Sequence, residues 1–486
     1  MDNPLIDEFL TTVGRQPTSV AISSSEVELS FSDLSRAALD EAAILQAHKK
    51  SFFPDAPLPI LVGTSTASYQ TLLAALLGGV SCAVLHKKNP EGKLLSHQNL
   101  LSADGKVFDS DSKKILTIKN ERPFKRTRRS QEEKLSEFEG IVIFSSGSTG
   151  APKGILIDFE CIWWRHRLKQ RATLHTRDAV ISAFSSPHQV AGLNRLLRLI
   201  SGCRLQIIDL ARSSLRSSLQ DLKRLGVTEL NLPSQVARLV AENSSRWALE
   251  LPTVTSLKIG SEAATFEVVY RLAESLPKDA ILSHGLGFTE GPAAFKFIER
   301  LDRIAGSGTL PIGRIYNPEF VRLSATPSFG PDASEVVVSG PIARGYLESE
   351  PSEAERFRMG PGDRREWWSG DVVRKIDSNN YGHVGRKDRM MKLNGNFLMP
   401  SEIENVALLI PGVRQAAVVG QKNLSGVKIV LWLESVTLGS NDSEAVHRFL
   451  RERLPRWMVP SQIRICDELP ALPGGKIDLQ QLERWS

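Results

Sequence analysis

No stretch of this chain is long and apolar enough to cross a bilayer. The best candidate, Leu72 to Leu85, is too short and is interrupted by Gly78, Gly79 and Ser81. The start, Met-Asp-Asn-Pro, has no basic region followed by an apolar stretch, so no signal peptide is expected. Cysteine is scarce. Cys82, Cys161, Cys203 and Cys466 form no CxxC pair and no metal-ligand spacing, which points to a reduced, cytoplasmic protein. Internal repeats and low-complexity tracts are absent, and so is a strong charge of either sign. A net charge of +6 and a pI near 9.1 favour acidic partners only weakly. The one dense basic cluster, Arg122, Lys125, Arg126, Arg128 and Arg129, is broken by Pro123 and followed by Glu132 and Glu133. Lacking interleaved aromatics and any groove-reading motif, it reads as a solvated loop, and no nucleic-acid partner is expected.

What is present describes a globular protein. Hydrophobic residues at 41% and charged residues at 24% suit a packed protein, and 486 residues exceed one ordinary core. Leu29 to Leu34 opens a helix. Leu73 to Gly79 and Ala83 to Leu85 read as helix then strand, and a helix carries Trp163 and Trp164. Ala179 to Phe184, Gly202 to Leu210 and Ser256 to Ile259 read as further strands. This alternation predicts an α/β fold, with mainly parallel sheets covered by helices. From Ser334 the pattern turns β-rich. Beyond Gly385-Arg386-Lys387-Asp388 lie about a hundred residues of α+β character. The expected domains are 1–387, large, and 388–486, small and mobile.

The most informative run is Val142-Ile-Phe-Ser-Ser-Gly-Ser-Thr-Gly-Ala-Pro-Lys-Gly154. A short apolar strand, Ile141 to Phe144, empties into Ser145, Ser146, Gly147, Ser148, Thr149 and Gly150. Glycines let successive N–H groups converge on one anion, the hydroxyls add donors, and Lys153 adds a positive charge. Six such residues alone would pass for a surface turn; the preceding strand and following Pro-Lys-Gly make a phosphate cradle. It is not a Walker A loop, because Pro152 stands where the glycine before the lysine should be.

The run resembles the phosphate loop of the adenylate-forming (AMP-binding) superfamily, which includes acyl- and aryl-CoA synthetases, luciferases and peptide-synthetase adenylation domains. Further motifs follow in that family's order over most of the chain. Around Gly285-Leu286-Gly287-Phe288-Thr289-Glu290 a dinucleotide-fold reading fails, since Glu290 occupies the third glycine position. The resemblance instead implies a threonine on phosphate, Thr289, and an Mg2+-holding glutamate, Glu290. Leu286 replaces the usual aromatic beside adenine, and His284 stands where an amide is common. Gly260-Ser261-Glu262 resembles the turn that approaches adenine and the acyl group. Asp371 resembles the aspartate that accepts both ribose hydroxyls, and Arg386 the arginine on ribose and phosphate. Asp388 matches the hinge. Lys392 and Gly395 match the border of a pantetheine tunnel, where a side chain at the glycine would obstruct the thiol. Near the end, Leu469-Pro-Ala-Leu-Pro-Gly-Gly-Lys-Ile-Asp478 resembles the loop carrying the catalytic lysine, Lys476, which would bridge substrate carboxylate and α-phosphate.

The resemblance implies an ATP- and Mg2+-dependent ligase. It would join a small carboxylic acid to AMP, then to the thiol of CoA or of carrier-protein phosphopantetheine. An oxygenase of luciferase type shares the motifs, although thioester formation is the commoner outcome. A nucleotide-binding pseudo-enzyme fits poorly with Lys153, Glu290, Asp371, Arg386 and Lys476 all retained. Amino-acid-activating relatives place an aspartate after the position of Phe184; here Ser185 and Ser186 follow, and no acid appears before Gly192. The expected substrate is therefore an aryl or aliphatic acid without an α-amino group. His188 and Gln189 compete for one place at the acyl pocket, near Gly192, and His188 also reads as a structural histidine. The chain ends eight residues after Asp478 with no Asp-Ser-Leu attachment site, so any acyl or peptidyl carrier is expected to be a separate protein.

Overall fold

The computed structural model describes residues 3–89, 94, 106–117, 135, 137–146, 152–171, 176–210, 212–347, 354–393, 396–423, 426–471 and 477–486. Two large sheets dominate it. The first runs in spatial order Gly345–Tyr346, Pro152–Asp158, Gly140–Ser146, Cys82–His86, Leu58–Val62, Lys106–Asp109 and Lys114–Thr117. The second runs Arg314–Ile315, Phe295–Arg300, Ile281–Leu286, Ser256–Gly260, Glu229–Pro233, Val180–Ala183, Arg204–Ile207, Val20–Ser23 and Glu28–Ser30. The central strands are parallel, as the alternation of strands and helices predicts, but both margins of each sheet are antiparallel. The reason is connection length. Only residues 147–151 separate Gly140–Ser146 from Pro152–Asp158, too few for a parallel crossover.

Burial follows from topology. Leu58–Val62 and Cys82–His86 are buried at every position, as parallel strands covered on both faces must be. The helix between them, Thr66–Leu77, is apolar almost all round and buries ten of its twelve residues. Its Ser65 cap accepts from the Ser68 N–H, and Ser30 caps Phe31–Phe52 in the same way through Asp33. One core joins the sheets, with Ile60, Val84 and Ile143 from the first and Ile22, Ile181 and Leu205 from the second. Tyr69 ties the covering helix to the second sheet by donating to the Ser185 carbonyl at 2.6 Å. Trp163 packs against this core, whereas Trp164 is exposed.

The β-rich part is a five-stranded antiparallel sheet. Arg365–Lys375 lies at its centre, paired with Ala333–Ser339, Phe357–Met359 and Tyr381–Arg386; Val321–Ala325 flanks Ala333–Ser339. A separate C-terminal domain follows. Gln415–Asn423 and Gly426–Glu434 pair antiparallel, and Gln462–Cys466 adds in parallel. Helices Pro400–Ala407 and Ser443–Arg451 cover one face through Ile403, Ala407, Val446 and Leu450. Leu479–Trp485 covers the other through Leu482 against Val419 and Trp432. Arg414–Glu242 at 2.8 Å and Gln235–Gln415 at 3.1 Å dock this domain on the large one.

Gly140 starts the strand that leads into the phosphate loop, and a Cβ there would lie 2.1 Å from the Ile157 carbonyl oxygen. Gly140→Ala should lower the chemical-unfolding midpoint, by the equivalent of about 1–3 kcal/mol. Gly14→Ala, in a helix with nothing within 4 Å, should be neutral or slightly stabilising. Equal midpoints for the two variants would contradict this packing.

Candidate active site

The hairpin that carries the phosphate loop places Ser145 opposite Lys153 and Ser146 opposite Pro152. Gly147, Ser148, Thr149 and Gly150 lie outside the described residues. Lys153 faces a cavity of about 1340 Å³, with its ammonium 5.5 Å from the Tyr346 ring. Tyr346 arrives on a short strand paired with Pro152–Asp158, and its hydroxyl donates to Glu290 Oε1 at 3.0 Å. The buried Trp367 indole donates in turn to the Tyr346 oxygen at 3.1 Å. Burial, reinforced by the Glu290 carboxylate, pushes the Tyr346 phenol far above its ordinary value, so it stays a donor. The Thr289-Glu290 turn is held from behind: Arg165 donates to the carbonyls of Phe288 and Thr289, and Ala343 N–H to that of Glu290.

The opposite wall is a charge network. Asp371, on the long central strand, is 4% exposed; it faces His383 Nε2 at 2.8 Å and accepts from Arg386 at 2.9 Å. The bond to Arg386 crosses the pairing of Asp371 with Arg386 in the adjacent strand. Arg386 then makes a two-pronged contact with Asp388, both bonds 3.0 Å, and Arg356 adds a third donor to Asp388 at 3.2 Å. Burial opposes charge on Arg386, yet Asp371 and Asp388 outweigh it and raise its pKa. Burial likewise opposes charge on Asp388, but Arg386 and Arg356 hold it below its ordinary value. Lys387 reaches back to Glu335 at 2.8 Å, whereas Arg389 reaches forward to Glu404 at 2.7 Å. Side chains therefore change allegiance between residues 387 and 389.

The cavity roof is the end of the strand Ile281–Leu286 and the turn after Ser256–Gly260. His284, buried and pushed down by that burial, contacts the Ile259 carbonyl through Nδ1 at 3.0 Å. Gly285 and Leu286 line the cavity, as do Ser261 and Glu262. Ser261 has φ +84°, a left-handed conformation strained for any side chain, at the turn the sequence assigns to adenine. The C-terminal domain closes the far side with Val418, Val419, Ala471, Ile477 and Asp478. Lys476 and Gly395 lie outside the described residues; Ala471 and Ile477, on either side of the lysine loop, pair with each other at the cavity. Lys392 is exposed, on the strand Met391–Leu393, and lines neither cavity.

A second cavity, about 510 Å³, opens from the first at Ser261 and His284 to Thr289. His188 and Gln189 both line it, and His188 stands against His86 with ring centroids 4.3 Å apart. Burial pushes His86 down to about 4, so it is neutral near pH 7. Gly192, expected near the acyl pocket, does not line this cavity. It lies behind the wall, where a Cβ would come within 2.4 Å of the Ser186 carbonyl oxygen, and its part is close packing.

Four residues of this arrangement were missed in the sequence. Tyr346, His383 and Arg356 carry no motif of their own. Lys258, which lines the second cavity, does leave a signal: Glu229-Leu-Asn-Leu and Ser256-Leu-Lys-Ile alternate polar with apolar, unusual for central parallel strands.

The family model described as AMP-binding enzyme matches residues 9–347, and that of the AMP-binding enzyme C-terminal domain matches 402–476. Isonitrile lipopeptide synthase from Streptomyces coeruleorubidus is 32% identical over 351 residues, 70% of this chain but 23% of that protein. Gramicidin S synthase 2 from Brevibacillus brevis is 24% identical over 99% of this chain and 11% of its own length. The chain thus spans less than a third of these curated relatives. Among solved structures, Klebsiella oxytoca NpsA in complex with 3-hydroxyanthranilyl-AMSN superposes with a TM-score of 0.77 at 18% identity, covering 99% of both chains. O-succinylbenzoate coenzyme A synthetase from Bacillus subtilis, with ATP and magnesium, gives 0.76 at 18% identity over 98% and 99%.

The Trp367–Tyr346–Glu290 relay has a direct test. Tyr346→Phe leaves the Trp367 N–H buried without an acceptor, a cost of about 1–3 kcal/mol in unfolding midpoint. Because Trp367→Phe removes the same bond, the double variant should cost less than the sum of the singles. Strict additivity would break the relay.

Proposed function

The chain belongs to the AMP-binding enzyme family, and we propose that it is an ATP-dependent acid–thiol ligase. In the first half-reaction a carboxylate oxygen attacks the α-phosphorus of ATP and pyrophosphate leaves, giving an acyl-AMP. In the second, a pantetheine thiol attacks the acyl carbon and AMP leaves. The observation that carries the reading is convergence: Lys153, Thr289, Glu290, Asp371 and Arg386 face one cavity, and Ile477, next to Lys476, borders it from the C-terminal domain.

Each group has a chemical task. The phosphate loop, with Lys153, would hold the phosphates, and Asp371, already oriented by Arg386 and His383, would accept ribose hydroxyls with its remaining lone pairs. His284, Gly285 and Leu286, with Gly260, Ser261 and Glu262, would enclose adenine. Among the described residues no three His, Cys, Asp or Glu gather as a metal cluster, so Mg2+ would rest on Glu290 and the nucleotide's own phosphates, its usual preference. When bound, the ion would offset phosphate charge as pyrophosphate departs. Lys476 would bring the two anions together. No general base is needed, because a carboxylate is ionised near neutral pH.

We place the hinge at Asp388, dividing 1–387 from 388–486. Ties on the large-domain side end at Arg386, Lys387 and Asp388, and those on the small-domain side begin at Arg389. Rotation there would exchange the face bearing Lys476 for the one bearing Lys392 and Gly395. The acid is assigned as aryl or aliphatic, without an α-ammonium: Ser185 stands on the inner-cavity wall, and the wall's carboxylate, Glu229, is held by Arg198 at 2.6 Å. The acceptor is CoA or a carrier protein; a lipopeptide synthase among the relatives supports a carrier, coenzyme A synthetase among the structural neighbours supports CoA. All four cysteines are free, and no described helix is long and apolar enough to cross a membrane, in keeping with a reduced, cytoplasmic setting.

Glu290→Gln should lower ATP–pyrophosphate exchange without unfolding the protein. Lys476→Ala should cut acyl-AMP formation about a hundredfold, with kcat suffering more than ATP affinity, yet still convert supplied acyl-AMP to thioester. A bulky residue at Gly395 should do the reverse. Loss of the same half-reaction in both variants would rule out the two-conformation mechanism, and unchanged exchange in Glu290→Gln would remove Glu290 from the site.

A further inference from the structure

The second sheet has two unlike faces where it passes between the cavities. Leu230, Leu232, Leu257, Ile259 and Leu282 pack one face against helices Leu215–Arg224, Ser234–Asn243 and Phe266–Ala273. On the other, strand register aligns Asn231, Lys258 and Ser283 across three neighbouring strands, with Lys296 opposite Gly285 on the next. All four line the inner cavity. A parallel sheet covered on both sides ordinarily carries apolar residues throughout. Here one face is polar and cationic, and it forms a cavity wall on which Lys258 stays exposed and Lys296 half-buried.

Helices add to the charge. Lys169 and Arg195 also line the cavity, Arg195 donating to the carbonyls of Ser182 and Ala191 rather than to an acid. Lys296 stands 4.7 Å over the Tyr316 ring. Among the described residues, none of Lys169, Arg195, Lys258 and Lys296 forms an ion pair with a carboxylate. The acid on the wall, Glu229, is engaged by Arg198. Two buried polar atoms aimed at this space have no hydrogen-bond partner, Ser283 Oγ and Arg198 Nη1, and Ser283 is 4% exposed.

One reacting carboxylate does not account for this wall. It must lie at the junction of the two cavities, near His284 to Thr289, to reach an α-phosphate. The cations lie further in. Several cations gathered around one cavity, each without a carboxylate partner, make a field that favours the opposite charge. Resting on the acid-activating reading above, we propose that the substrate carries a second anionic group, a carboxylate, sulfonate or phosphate, which seats on Lys258 and Lys296 at the inner end of the cavity. Ser283 Oγ is placed to donate to the same group. A plain fatty or benzoic acid would leave these charges unpaired, and a substrate cation would be repelled.

Protonation agrees with this. Burial pushes Lys258 and Lys296 down to about 8, with Lys296 and Arg195 lowering Lys258 further. Both are therefore still mainly charged near pH 7. The groups facing Lys258 are Lys296, Arg195, Arg198, Lys169 and Glu229. A bound anion favours the charged lysines, so recognition of the second anion is complete below about 8 and is lost as pH rises through it.

The test is ATP–pyrophosphate exchange by the full chain with size-matched acids: hexanoate against adipate, 4-methylbenzoate against terephthalate, and 4-sulfobenzoate and 4-phosphonobenzoate to separate the kinds of second anion. At least one dianionic acid should exceed its singly charged partner by about tenfold or more in kcat/KM, falling above pH 8. Lys258→Met and, separately, Lys296→Met should reduce that preference by about tenfold to a hundredfold, with KM for ATP little changed. Calorimetric titration of the unreacted protein with the dianion gives an independent readout, which should show binding that the folded variants lose. Monoanions matching or exceeding their dianionic partners, or a preference unmoved in both variants, would overturn the proposal. If no acid supports exchange, the ligase reading fails. Dianion binding that depends on Lys258 would then still uphold the site, and its absence would overturn it.

Discussion

The junction of the two domains hangs on one chain of charges, Asp371–Arg386–Asp388, that runs from a buried carboxylate out to the surface. Asp371, 4% exposed, has its carboxylate paired with Arg386 at 2.9 Å. The same guanidinium grips Asp388, and Arg356 shares that grip. The expected ribose acceptor and the expected hinge are thus one electrostatic object. Moving the small domain about residue 388 must keep or break a two-pronged contact to the residue that orients Asp371. Whatever rotates there is coupled to the nucleotide side of the cavity by charge, without any long-range wire.

The second constraint is what holds Glu290. Tyr346 comes from a strand that pairs with the outgoing arm of the phosphate-loop hairpin, so the loop and the carboxylate are positioned by neighbouring strands of one sheet. Trp367 comes from the β-rich sheet, next to Trp368 and four residues from Asp371. A hydroxyl shared by Glu290 and Trp367 therefore ties the first sheet to the third across the cavity. With burial keeping the phenol protonated, the link does not depend on pH in the neutral range.

Much of this was legible beforehand, and the division is physical. Motifs set by local backbone needs led to one cavity where the structure describes them, at Lys153 and at the Thr289-Glu290 pair, whereas residues 147–151 and 472–476 lie outside the described residues. The alternation of strands and helices could be read, because apolar strands and amphipathic helices differ in period. Antiparallel margins were not foreseen, since hairpins and crossovers differ by connection length rather than by strand composition. Tyr346, Arg356 and His383 were not foreseen either. Each acts through a partner 12 to 56 residues away in sequence, and no spacing rule reaches that far. At Gly192 a second demand appears beside the pocket motif: the backbone of Ser186 and Pro187 packed against it leaves no room for a Cβ.

Lys258 was readable and unread. In Ser256-Leu-Lys-Ile the lysine breaks a strand that its neighbours treat as core, and period two puts it on the face away from Leu257 and Ile259. That face could have been a solvated surface, had the sheet been open on one side. The helix Val190–Ile200, which also lines the cavity, makes that face a cavity wall, on which Lys258 stays exposed. The two cavities then differ in electrostatic kind. The outer one mixes Lys153, Arg356 and Arg386 with Glu290, Asp371 and Asp388, suiting a polyanion whose charge must be managed while a bond breaks. The inner one is cationic with a single engaged acid, which suits holding an anion still. A molecule with one carboxylate at the junction and a second anion inside would be stretched between them, its reacting end aimed by its far end. Such aim is the gain that fixed orientation offers a displacement between two anions that otherwise repel.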